Sequence, residues 1–180
     1  MTAGMDISCG DIDNVGGMTA GGDIKCGDIN DVGGMTAGGN IKCGDISAVG
    51  GMEISGDLTS DGISDVATMT VKRNITSCND INAENISVGE DLNCGDITDA
   101  QKIKAEGISC GDISEAQTVT ANTISCGDIS EAQSVTATSI SCGDISECEK
   151  VEAAAITCGD VNDCKLVKVT DNIEKAGDEW

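Results

Sequence analysis

The chain has no proline, no histidine, no phenylalanine and no tyrosine, and its 180 residues include a single tryptophan. A core built around large aromatic rings is excluded, so Ile, Val, Ala, Met and Cys must fill a thin, repeated cross-section. Without histidine, the commonest general base and the mixed Cys/His zinc site are both absent. No phosphate-binding loop and no Cys-x-x-Cys pair occur. We therefore expect neither catalysis nor a cofactor. No apolar run approaches the roughly 18 residues of a membrane span, and no basic segment leads into an apolar stretch at the start. These features set the expectation of a cytoplasmic protein. Basic side chains are scarce as well, 10 Lys and Arg against 32 Asp and Glu, for a net charge of -22. Such a chain repels phosphate backbones and anionic lipid, which leaves cations, basic proteins and other copies of itself as partners.

What is present is repetition. Aligned on Cys-Gly-Asp, cysteine recurs as Cys9, Cys26 and Cys43 at intervals of seventeen, then as Cys78, Cys94, Cys110, Cys126, Cys142 and Cys158 at intervals of sixteen. Ser60 takes the cysteine place in the gap. Within a copy the apolar residues alternate, as in Ile108 with Cys110, then Ile113, then Val119 with Ala121. That is the period of a strand. Gly111-Asp112, Ser114-Glu115 and Asn122-Thr123 break the alternation and suit corners. The early copies have Gly21-Gly22-Asp23 where later ones have a shorter turn, which accounts for the extra residue. The spacing predicts an all-β fold: one three-sided parallel β-helix of about ten rungs, stacked at about 4.8 Å. The solenoid is expected over residues 1–171, with a short tail over 172–180.

Stacking converts each repeated position into a column. An isoleucine column runs from Ile7 through Ile24, Ile41 and Leu58 to Ile156. Beside it the alternation places Cys9, Cys26, Cys43, Cys78, Cys94, Cys110, Cys126, Cys142 and Cys158 as a buried core ladder of free thiols. Met18, Met35, Met52 and Met69 hold the place that Val119 and Val135 hold later, which suits a wider first half. Cys148 and Cys164 replace Ala116 and Ala132 on another side, one rung apart. A disulfide and a stacked pair of thiols are both open there, and a reducing compartment favours the thiols.

Three further patterns bear on function. The Asp of Cys-Gly-Asp recurs, and a second acid follows three places on, as in Asp99, Glu115 and Glu131. Solvated, turn-capping carboxylates are the favoured reading, with weak divalent cation sites at Asp112, Asp128 and Asp144 as the alternative. Thr118-Val119-Thr120 and Ser134-Val135-Thr136 resemble the flat threonine arrays of ice-binding solenoids, but Lys102, Lys104, Lys150 and Glu152 interrupt them. Finally, Met1-Thr2-Ala3 matches the internal Met18-Thr19-Ala20, which sets the expectation of an uncapped first rung. Open sheet edges invite end-to-end pairing. Met1, Ile7, Ile12, Val161, Val167 and Trp180 are the expected polymer interface, with Ile7 and Ile12 half exposed in a monomer.

The Gly-Asp-Ile rungs, such as Gly10-Asp11-Ile12 and Gly95-Asp96-Ile97, resemble those of the bactofilins, polymer-forming cytoskeletal proteins. The resemblance covers roughly residues 1–171. It implies a right-handed three-sided β-helix that polymerises without nucleotide into scaffold filaments. The chain departs from it in its richness in cysteine and in lacking an aromatic near residue 1.

Overall fold

The protein is described by a computed structural model covering the backbone of residues 1–175 and the side chains of residues 1–76 and 79–173. It is all-β, a parallel solenoid of about ten turns. Each full rung has three strand faces, and in several rungs one strand runs through a corner to serve two of them, as in Ile46–Ile54 and Ile63–Val71. In the second rung the strands are Met18–Ala20 on a first face, Ile24–Lys25 on a second and Ile29–Val32 on a third. Each pairs in parallel with its equivalent one rung on: Met18 with Met35, Ile24 with Ile41, and Ile29 with Ile46. The pattern follows from the sequence because β-branched and apolar residues at alternate positions fit a pleated surface with one buried side. The dipeptides between them supply the corners.

Five inward columns fill the interior. Met18 and Ala20, Ile24, and Ile29 and Val32 begin the fully buried part, and Val135, Ile140, Ile145 and Cys148 stand near its other end. Identical neighbours above and below give each aliphatic side chain a close-packed stack.

The change from seventeen to sixteen residues lies where the sequence placed it, in the corner before the second face. Leu92 pairs with Ile108 and Ile108 with Ile124, whereas Ile75 still pairs with Leu92. A second irregularity was not foreseen. Ile63 pairs with Ile81 but Val66 with Ala83, so the rung of Ile81 lacks one residue of the third face.

Candidate functional site

The chemistry-bearing side chains gather at the corner between the second and third faces, where each rung spells Cys-Gly-Asp or a variant of it. There the aspartates form a directional ladder. The Asp128 amide donates to Asp112 Oδ1 at 2.8 Å, Asp144 to Asp128 at 2.7 Å and Asp160 to Asp144 at 2.8 Å. Asp11, Asp28 and Asp45 do the same in the early rungs. Each carboxylate thus caps an amide of the next rung, which supports the capping role expected at Asp112, Asp128 and Asp144. The glycine before each aspartate has a physical cause: a Cβ on Gly127 would fall on Asp112 Oδ1, and one on Gly111 would fall on Asp96 Oδ1. The long corner of the early rungs carries a second ladder of the same kind. Asp23, Asn40 and Asp57 each donate their amide to the Asx side chain one rung before.

The cysteine column lies partly in the core and partly at its edge, so the expected buried ladder holds at Cys43, Cys142 and Cys158 but not along its whole length. Cys9 is exposed, Cys26, Cys94, Cys110 and Cys126 are half-buried, and Cys43, Cys142 and Cys158 are buried. The side chain of Cys78 lies outside the described residues. The reason is local: cysteine is the last residue before the turn, so its side chain leans along the corner edge while Ile108 and its equivalents fill the axis. Contact between stacked thiols governs their acidity. Hydrogen bonding with Cys110, then burial, pushes Cys126 up to about 12, and the bond with Cys126 followed by burial raises Cys142 further. Cys26 is lowered, chiefly by its bond with Cys43. Cys148 is buried and Cys164 half-buried, both as free thiols that donate to carbonyls of Ser146 and Asn162 at 3.3 and 3.4 Å. Burial foremost pushes Cys148 up to about 11.

The second-acid column holds an unforeseen feature. Asp99, Glu115, Glu131, Glu147 and Asp163 all have positive φ, between 52° and 56°, as do Asn14, Asp31, Ala48 and Asp65 earlier. These residues occupy the left-handed region at one bend of the third face. Glu115 bonds to Asp99, which raises its carboxyl above the usual range. The rung of Ile81 is the one that skips this residue, and a recess of about 520 Å³ opens there, lined by Asp65, Asn82, Glu84, Asp99 and Gln101 among others. On the first face, Lys102, Thr118, Ser134 and Lys150 stack in register, as do Lys104, Thr120, Thr136 and Glu152. The hydroxyl array is therefore interrupted as the sequence indicated, and Lys150 pairs with Glu152 at 2.9 Å.

The ends differ from expectation. Ile7 and Ile12 are 9% and 3% exposed, so neither is half open. In so narrow a triangle the inward side chains of one rung cover one another across the axis, and the rung above completes the cover. Open apolar side chains stand at both ends: Met1 and Met5 at the first, at 62% and 79% exposure, and at the other Val161 and Ile173, which terminate the two isoleucine columns at 40% and 46%. Val167 is half-buried there, Met1 is exposed, and Trp180 lies outside the described residues.

Gly107-Ile108-Ser109-Cys110-Gly111 has the letters of a nucleophile elbow, but Ser109 is an outward strand residue in a chain with no histidine. Among the described residues no group of three or more metal-ligating side chains converges, and no helix is long and apolar enough to cross a membrane. No protein-family model, curated protein or solved structure matches the chain.

Proposed function

We propose that the protein is a non-enzymatic structural element of the cytoplasm that joins copies of itself end to end into filaments. The observation carrying this reading is the exposed termination of the core columns at Val161 and Ile173. A surface made of the ends of isoleucine and valine columns, framed by strand edges with no partner strand among the described residues, is best matched by another rung of the same pattern. The occupant is therefore a second copy. The resemblance of the rungs to those of bactofilins supports the same reading and adds that assembly needs no nucleotide. A cation-binding rod is less well supported, because one oxygen of Asp112, Asp128 and Asp144 is already committed to an amide.

Charge opposes the joining of subunits at -22 each, so assembly should strengthen as salt shortens the screening length to about 10 Å at 0.1 M. Sedimentation and negative-stain microscopy over a salt series test the proposal, with unbranched fibres expected in the absence of ATP and GTP. A monomer throughout the series would overturn it.

A further inference from the structure

We infer that the cysteine column is a binding site for a soft, two-coordinate metal ion, with copper(I) the biological member of that class, held between the sulfurs of adjacent rungs. Four observations carry this. The first is register: one cysteine stands at the same corner in five consecutive rungs, Cys94, Cys110, Cys126, Cys142 and Cys158, and in three earlier ones, Cys9, Cys26 and Cys43. Ser60 separates the two runs.

The second is access. The column runs along the edge of the core, with Cys9 exposed, Cys26, Cys94, Cys110 and Cys126 half-buried against the core, and Cys43, Cys142 and Cys158 buried in it. An ion can enter from solvent, yet the apolar side of the site keeps water from the sulfurs.

The third is spacing. Rungs of a parallel ladder repeat at about 4.8 Å, so consecutive thiols of the column are direct neighbours. Cys126 lies within hydrogen-bonding reach of both Cys110 and Cys142. Two metal–sulfur bonds, about 2.3 Å each at the length zinc makes, are of the right size to bridge such neighbours.

The fourth is coordination number. Zinc seeks four ligands, and no three ligating side chains converge among the described residues. The nearby Asp oxygens are hard donors, with one oxygen of each already engaged by an amide. Soft thiolates and a low ligand count select copper(I).

The proton balance is consistent with the surroundings. Each copper(I) bound between two thiols displaces their protons, and where a thiolate is shared by the ions above and below it, nearly one cation arrives per proton released. The Asp carboxylate two residues on from each cysteine opposes a bare thiolate but not one neutralised by a cation.

The test is an anaerobic titration of the full chain with copper(I), supplied as its acetonitrile complex in competition with bicinchoninate. It is read by sulfur-to-copper charge-transfer absorption, proton release and loss of thiols reactive to a chromogenic disulfide. Several ions per chain should be withdrawn from the chelator with unchanged far-ultraviolet circular dichroism. Replacing Cys110, Cys126 and Cys142 together by Ser breaks the longer run, and Ser60 already shows that the column accepts serine with 1% exposure. That variant should keep its circular dichroism and lose the ions of the longer run, with affinity there at least about tenfold weaker. Replacing Cys148 and Cys164 by Ala, a stacked pair outside the column, should leave the ions of the longer run in place. The inference is overturned by failure to compete with the chelator, by equal uptake in the serine variant, by loss of the longer run's ions in the alanine variant, or by zinc binding as tightly as copper(I).

Discussion

Gly127→Ala tests whether Gly-Asp is one structural unit spanning two rungs. The added Cβ falls on Asp112 Oδ1 and comes within 3.2 Å of the Gly111 carbonyl oxygen. Asp112 must then swing away and give up the 2.8 Å bond it accepts from the Asp128 amide. A hydrogen bond to a charged group contributes about 1.5 to 3 kcal/mol, but Asp112 is exposed and water replaces it in part, so about 1 kcal/mol is the better figure for Asp112→Ala. Gly127→Ala should cost about 2 kcal/mol, the same bond plus the tight carbonyl contact and a small backbone shift. In the double variant the carboxylate that caused the collision is gone, and the loss should be nearer 1.5 kcal/mol than the 3 kcal/mol of independent effects, a coupling of about 1.5 kcal/mol. Urea denaturation followed by far-ultraviolet circular dichroism on all four proteins measures the cycle. Additivity to within about 0.5 kcal/mol would refute the reasoning, since it would mean that glycine is needed there for some cause other than the carboxylate one rung before.

Other expectations follow from the same geometry. Glu131, at φ 53°, should be replaceable by Gly with a gain of about 0.5 to 1 kcal/mol in the same denaturation assay, because glycine adopts that conformation freely. The bond from Asp99 raises the Glu115 carboxyl, so this pair favours the fold at mildly acid pH and works against it as pH rises through the raised value. Glu115→Gln should flatten that part of the melting-temperature profile, and an unchanged slope would contradict the assignment. Ile129→Ala removes a fully buried column member and should cost about 2 to 5 kcal/mol in thermal or urea unfolding. Val161→Lys puts a charge on the open end and should leave a folded monomer by sedimentation, whereas fibres like the parent's would remove that surface from the interface. Native thiol counting should label Cys9 first and leave Cys148 unreacted until denaturant is added, in keeping with their exposures.

Much of this architecture could be read from spacing alone. The interval between cysteines gave the rung, the alternation around Ile108 gave the inward face, and Gly21-Gly22-Asp23 against Asn122-Thr123 located the shortened corner. The irregular rung escaped notice because two changes cancel: a residue added near Asn79 offsets the one missing after Asn82, so the distance from Cys43 to Cys94 looks regular. The left-handed acids escaped because Glu rarely adopts positive φ, and only the fixed offset from the Gly-Asp corner marked the position. Alternation places the cysteines in the core, a rule that holds within a strand and weakens at its last residue. Their place at the edge is what makes them reachable. Glycine before each aspartate was visible throughout, but its cause was not, because the carboxylate that needs the space belongs to the preceding rung.

The ladders also bear on how fast the chain can fold. Side-chain bonds such as Asp45 to Asp28 and Asp128 to Asp112 bridge 17 and 16 residues, and the strand pairings span much the same distance. Divided by the length of the chain, that separation gives a relative contact order of roughly 0.09, within the range of helical bundles and below that of β-sandwiches. The first two rungs must close together before either is rewarded, and each later rung then adds onto a finished template at the entropic cost of one short loop. An all-parallel sheet would ordinarily be a slow folder. This one should nucleate slowly and then zip from rung to rung, so that its unfolded intermediates are shortened rods with intact cores.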